Sequence, residues 1–147
     1  MVKQFWLGAA VALLGSICLA QGACTKRSEF QPVLCRIKLP RIVAIEIEDN
    51  GASTSPTAEP EIDCSRFKLT AAGVRRYFGK AWRILDKSDM HHKLDWLPCY
   101  ASGTLRFADG KTARWYIEQS ATARLVPEGE EEINFFCPSC KYAPFLW

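Results

Sequence analysis

The sequence predicts an α+β domain in which an antiparallel sheet carries one amphipathic helix on one face and is tied together by disulfides. Three observations support this class. Several short runs alternate apolar with polar residues, one segment after residue 69 changes to a helical period, and six of the seven cysteines follow an apolar leader. A period of two is typical of half-buried strands, and a period near 3.6 is typical of a helix that packs through one face.

The first twenty residues have the features of a secretory signal peptide. Lys3 provides a positive flank, residues 5–19 form an apolar run, and small residues precede a predicted cleavage point after Ala20. The apolar run is too short and too near the terminus to be read as a membrane span. We therefore expect residues 21–147 to form a single domain exported to the periplasm.

Two alternatives for the processing of this leader stay open. Cleavage after Ala23 would also fit the small-residue pattern. A lipid anchor on Cys24 is less well supported, because Gln21 occupies the place where lipoprotein signals require leucine.

Length and charge narrow the possible partners of the exported chain. Removing twenty residues from 147 leaves 127, which is enough for a domain with a real core. The net charge of +3 falls to about +2 without Lys3, too weak to indicate a nucleic acid or an anionic membrane as partner. No later segment is apolar enough to span a bilayer.

Two strands and a loop are predicted before the helix. Residues 33–39 alternate, and residues 41–51 alternate again, with Val43, Ile45 and Ile47 on one side. The small, polar, proline-containing segment at about 51–61 has no period, and we expect it to be a flexible surface loop.

The predicted helix begins after Thr70, which is a suitable N-cap. Its apolar stripe extends to Leu85 and consists of Val74, Tyr77, Phe78, Ala81, Trp82 and Leu85. Leu69 is positioned to pack on Val74 as a hydrophobic staple. The stripe should dock on the sheet.

The second half predicts a four-strand meander from "GTLRF", "TARWYIE", "ATARLV" and "EINFF". For the first hairpin, a three-residue loop with Gly110 in the left-handed conformation places Leu105 opposite Ala113 and Phe107 opposite Lys111. This register keeps the apolar side chains on one face, whereas a two-residue turn would mix the faces.

An even number of cysteines in an exported chain indicates a disulfide framework. We expect all six to be oxidised, namely Cys24, Cys35, Cys64, Cys99, Cys137 and Cys140. The preferred pairing is Cys24 with Cys35, Cys99 with Cys137, and Cys64 with Cys140, and a swapped pairing of the last four stays open.

The "CPSC" motif at Cys137–Cys140 could in principle be a redox dithiol or half of a zinc site. A reactive thiolate usually lies at the start of a helix after a strand, but only seven residues follow Cys140 here. Export to an oxidising compartment also argues against free thiolates as zinc ligands. We therefore expect a structural role, with no catalytic residue, cofactor or metal.

The stretch "HHKLDWLPCYASG" is the best candidate for partner binding. Adjacent histidines diverge, so His91 and His92 do not form a metal pair. Trp96 precedes Pro98 in a loop that Cys99 would hold, and aromatic residues on rigid loops are favoured at protein interfaces. The predicted contact residues are His92, Asp95, Trp96 and Tyr100. Packing of Trp96 under the helix beside Trp82 is the alternative.

The chain from Cys64 to Cys140 resembles small exported proteins of Gram-negative bacteria that are encoded beside type VI secretion effectors. The resemblance lies in "CSRFKLT", "HKLDWLPCYASGTLRFADGK", "RWYI" and the closing "CPSC". It implies a periplasmic immunity or accessory protein that binds and blocks a toxin. Two other classes stay open: an envelope enzyme or thiol oxidoreductase, and a ligand-binding or lysozyme-inhibitor-like module.

Overall fold

The computed structural model describes residues 22–26, 28–54 and 62–145. Within those residues the elements are β1 (Cys24–Thr25), β2 (Leu34–Cys35), β3 (Ile42–Ser53), α1 (Ala71–Lys80), β4 (Trp82–Ile84), α2 (Lys87–His92), β5 (Cys99–Phe107), β6 (Thr112–Glu118), β7 (Thr122–Pro127) and β8 (Ile133–Phe136). A 3-10 turn, Cys64–Arg66, lies between β3 and α1. The strands form one antiparallel sheet in the order β1-β2-β4-β8-β7-β6-β5-β3. The predicted α+β class is confirmed, and α2 is a short second helix that the sequence did not predict.

The meander of β5 to β8 has the predicted strands, and its first hairpin has the predicted register. Leu105 lies opposite Ala113, and the Phe107 amide donates to the Lys111 carbonyl at 2.9 Å. Gly110 has φ +87°, a left-handed conformation that glycine adopts without steric penalty. The bulged three-residue loop is therefore confirmed.

The core lies between the inner face of this meander and α1. Their buried apolar side chains form one cluster. It includes Leu105, Phe107, Ala113, Trp115, Ile117, Val74, Tyr77 and Phe78. The Tyr77 hydroxyl donates to the Ala121 carbonyl at 2.9 Å, so its polar tip is satisfied inside the core. The opposite face of the meander is referred to below as its outer face.

Helix α1 starts as predicted and ends earlier than predicted. The Thr70 hydroxyl caps it by accepting from the Gly73 amide at 3.0 Å. Ala81 is extended, with φ −68° and ψ 153°, and Trp82 then pairs with Phe136 of β8. The assignment of Trp82 and Leu85 to the helical stripe was wrong, because strand pairing satisfies the backbone there. Leu85 is 58% exposed.

Strand β3 is an edge strand with three register shifts, one of them between Ile42 and Ala44. A bulge inserts one residue and so exchanges the faces of a strand. As a result Ile42 packs against the core in place of Val43, which is 39% exposed, contrary to the simple alternation. The strand continues through Gly51 to Ser53, so the predicted loop at 51–61 was placed too early, and its residues 55–61 lie outside the described residues.

The predicted first strand, 33–39, is reduced to Leu34–Cys35. These two residues bridge β1 and β4. The longer alternation in the sequence was misleading because only this short stretch meets a partner strand on each side.

The disulfides are Cys24–Cys35, Cys64–Cys99 and Cys137–Cys140. The first was predicted, but the pairings Cys99–Cys137 and Cys64–Cys140 were wrong. Ser53 of β3 lies opposite Cys99, and the 3-10 turn returns the chain to that end of β3, which brings Cys64 to Cys99. Cys140 lies one tight turn after Cys137, and its amide donates to the Cys137 carbonyl at 3.1 Å.

Three disulfides are typical of a protein that folds in an oxidising compartment outside the cytoplasm. The predicted signal peptide, residues 1–20, lies outside the described residues. Across 22–26, 28–54 and 62–145, none of the helices has the length and apolar character needed to cross a membrane.

Candidate functional site

The segment 86–98 forms a lip over the outer face of the meander. Helix α2 begins the lip, and the Asp86 carboxylate caps it by accepting from the Ser88 amide at 2.9 Å. Asp89 is buried and forms an ion pair with Lys93, Oδ1 to Nζ, at 2.8 Å. This i, i+4 pair ties the end of α2 to the loop that follows.

The far end of the lip is attached to the sheet at two points. The Thr54 amide donates to the Pro98 carbonyl at 2.9 Å, and the Cys64–Cys99 disulfide follows at the next residue. Trp96, two residues before the first of these attachments, is 59% exposed. The alternative that Trp96 packs under the helix was wrong, because the loop turns its ring towards solvent.

A cleft of about 800 Å³ separates the lip from the outer face of the sheet. Its lip side is lined by Lys87, Ser88, Met90, His91, Asp95 and Trp96, its floor by Glu118, Thr122, Arg124 and Asn134, and its rim by Thr54 and Glu132. The volume is within the range of ordinary ligand-binding clefts. We refer to these twelve residues as the cleft.

The floor residues share the outer face because of strand register. Residues directly opposite one another in a ladder point to the same face. Tyr116 lies opposite Arg124, and Arg124 lies opposite Asn134. Glu118 lies two residues beyond Tyr116 on the same strand, so its side chain projects from the same face.

Glu118 is the titratable group of the floor whose environment is most unusual. Burial raises the pKa of Glu118 above the ordinary glutamate value, while the hydrogen bond from Thr122 and the electrostatic influence of Arg124 and His91 act in the opposite direction. The Thr122 hydroxyl donates to Glu118 Oε2 at 3.0 Å. The carboxylate has therefore lost part of its hydration, and the hydrogen bond and charges around it offset that loss only in part.

Asn134 is the second unusual group of the floor. Its residue is 4% exposed, and its Oδ1 atom accepts no hydrogen bond from the described residues. Buried polar atoms in native proteins normally have a partner. The oxygen is enclosed at the base of the cleft, so a bound group could donate to it once the Asn134 side chain rotates towards the cleft.

No protein-family model, curated protein or solved structure matches this chain. The one hydroxyl beside a carboxylate on the floor is that of Thr122, which is 2% exposed and also contacts the Ser120 hydroxyl at 2.9 Å. Its hydrogen bonds are therefore made within the floor.

The four predicted contact residues have different positions. Asp95 and Trp96 line the cleft, and both are exposed. Tyr100 lies on β5 opposite Glu118 and is half-buried. His92 is exposed at the end of α2, but its neighbour His91, not His92, lines the cleft.

The sequence analysis missed Glu118, Arg124 and Asn134. A usable signal was present, because the predicted hairpin register assigns Trp115 and Ile117 to the inner face and thereby assigns Tyr116 and Glu118 to the outer one. What the sequence did not show was that the lip covers this part of the outer face.

The "CPSC" motif lies outside this cleft. Cys137 and Cys140 are 2% and 3% exposed and are joined to each other, so neither is a thiolate that could bind zinc. Among the described residues, no cluster of three or more histidine, cysteine or acidic side chains could hold a metal ion.

Proposed function

We propose that the chain is an exported binding protein that neutralises a secreted antibacterial toxin in the periplasm by forming a complex with it. The observation that carries this proposal is the 59% exposure of Trp96 on a lip fixed at both ends. A large aromatic side chain presented by a rigid loop loses little entropy on binding and is a common centre of interface affinity.

Two further features support a blocking role. The three disulfides suit a protein that must persist outside the cytoplasm. The resemblance of the chain from Cys64 to Cys140 to proteins encoded beside type VI secretion effectors supplies the class of partner, a toxin delivered by a neighbouring cell. Blocking such a toxin requires a complementary surface and no catalytic group.

A competition assay tests this proposal. Recipient cells produce either the full chain or the chain without residues 1–20, and an attacking strain delivers the toxin encoded beside the gene for this chain. We expect the exported form to increase recipient survival and the form without the leader to have no effect. Equal killing of both recipients, with the exported protein present in the periplasmic fraction, would overturn the proposal.

A further inference from the structure

The floor of the cleft has hydrogen-bond acceptors that lack donors. Asn134 Oδ1 has no partner among the described residues, although the residue is 4% exposed. Glu118 is partly desolvated and receives a hydrogen bond from Thr122 at Oε2. A carboxylate has room for several donors at its two oxygens. A group that enters the cleft would therefore be recognised by what it donates.

The donors already on the floor do not pair with Asn134 Oδ1. The guanidinium of Arg124 lies over the ring of Tyr116, 4.8 Å from its centroid. The Thr122 hydroxyl is shared between Glu118 and Ser120. Neither side chain is positioned to satisfy Asn134, so the surplus of acceptors persists.

The charges around the cleft also favour a donor, because acidic side chains outnumber the permanently charged basic ones. Three carboxylates line it, from Asp95, Glu118 and Glu132, against the two permanent cations of Lys87 and Arg124 and the imidazole of His91, which is counted as neutral at pH 7. The whole chain has the opposite balance, with a net charge of +3. The excess of carboxylates is thus local to the cleft.

The exposed ring of Trp96 adds a flat apolar surface at the mouth. An indole face attracts cations through its electron density, and a planar guanidinium can also stack on it. A guanidinium has five donors in one plane, so it can serve separated acceptors while it stays stacked. The compact ammonium of lysine cannot stack in this way, and a neutral sugar would leave the carboxylate excess uncompensated.

We propose that the cleft binds an arginine side chain of the protein partner, stacked on Trp96 and donating to the Glu118 carboxylate, and to Asn134 Oδ1 after rotation of the Asn134 side chain brings that enclosed oxygen to the cleft. This inference rests on the proposed function for the source of the arginine. It identifies the chemical group that the partner must present at this surface.

The test uses small probes and the oxidised exported chain, so it needs no identified toxin. Nα-acetyl-arginine amide is titrated while NMR follows the Trp96 indole and the Asn134 side-chain amide. We expect saturable shifts at both groups, with a dissociation constant on the order of 1 mM for so small a ligand. The isosteric, neutral Nα-acetyl-citrulline amide should bind at least about fivefold more weakly, because it lacks the charge.

Matched variants locate the effect. Glu118→Gln should weaken arginine-amide binding about tenfold, the scale of one charge-assisted contact. Glu128→Gln is the control, since Glu128 also accepts from a threonine hydroxyl, that of Thr112 at 2.7 Å, and does not line the cleft. The Glu128→Gln variant should bind the arginine amide with the affinity of the wild type.

Four results would overturn the inference: no saturable shift, equal binding of the citrulline or lysine amide, an equal effect of the two variants, or tighter binding of chitotriose than of the arginine amide. Each is independent of the competition assay. Protection of cells without probe binding would remove this inference alone, whereas probe binding without protection would remove the proposed function and leave the guanidinium site.

Discussion

At the level of single residues, the unusual feature of the molecule is the placement of Glu118 and Asn134 on a surface that the lip half covers. Buried polar groups are normally paired because an unpaired one loses its water without replacement. Trp115 and Ile117, neighbours of Glu118 on the same strand, are fully buried on the inner face. The polar floor is therefore backed by the packed core of the sheet.

The raised pKa of Glu118 predicts a pH dependence of stability. The folded protein holds the Glu118 proton more tightly than the unfolded chain, so this group's contribution is fully present below the ordinary glutamate pKa and is lost as pH rises through the folded pKa. Glu118→Gln should remove that loss. The melting temperature of the variant relative to that of the wild type should therefore increase between about pH 4 and 7.

Glu128→Gln is the control for this measurement, because Glu128 is exposed. Its profile should follow that of the wild type. A Glu118→Gln profile parallel to the wild type would show that the carboxylate is not desolvated in the folded protein.

At the level of elements, the sequence predicted those structures that are determined by a local pattern of residues. The β5–β6 hairpin was predicted in detail because Gly110 and the alternation of Leu105 and Phe107 allow one register. The end of α1 was not, because Trp82 and Leu85 fit a helical stripe as well as they fit a strand. Only the presence of β8 and β2 on either side of β4, which is a long-range fact, decides between these two structures.

The same limit applies to the candidate site. Asp95 and Trp96 were predicted as contact residues because they precede Pro98 and Cys99, which is a local signal, and the structure places both at the cleft. The floor required knowledge of which strands the lip crosses, and the pairing of Cys64 with Cys99 required the path of the 3-10 turn. The spacing of residues along the sequence determines neither the floor of the cleft nor this disulfide pairing.

Asn50 makes the contact that joins the edge strand β3 to the start of α1. Its Nδ2 donates to the Leu69 carbonyl at 2.9 Å, and its Oδ1 accepts from the Leu69 amide at 2.8 Å. Asn50→Ala removes both bonds and should lower the free energy of unfolding by about 1 to 3 kcal/mol. Chemical denaturation measures this value.

Glu46→Ala on the same strand is the control, because Glu46 is exposed and its contact with the Thr104 hydroxyl is long, at 3.5 Å. This variant should change stability by less than about 0.5 kcal/mol. If the two variants destabilise equally, the reciprocal bonds to Leu69 do not hold the helix to the sheet.

At the level of the whole molecule, the disulfides close loops of different length and should contribute in that order. The sequence separations are 35 for Cys64–Cys99, 11 for Cys24–Cys35 and 3 for Cys137–Cys140. Loop-closure entropy then gives about 4, 3 and 2 kcal/mol respectively. Paired Cys→Ala variants, compared by chemical denaturation, test the order, and a largest loss for the Cys137–Cys140 pair would contradict it.

Non-reducing mass spectrometry after alkylation checks the oxidised state on which this order depends. No cysteine of the six should be alkylated, and peptide mapping should recover the three observed pairs. Alkylation of Cys137 and Cys140 in the native protein would instead favour thiol chemistry at the "CPSC" motif.

The central claim is that the chain acts by binding a protein through the lip. The most direct measurement is the affinity of the purified chain for the toxin that the proposal expects to be encoded beside its gene, for the wild type, Trp96→Ala and Phe30→Ala. Phe30 is an 84% exposed aromatic residue that does not line the cleft. We predict that Trp96→Ala weakens the complex by about 2 kcal/mol or more, with a melting temperature close to that of the wild type, while Phe30→Ala binds as the wild type does. Equal affinity of Trp96→Ala and the wild type per folded molecule would contradict the account.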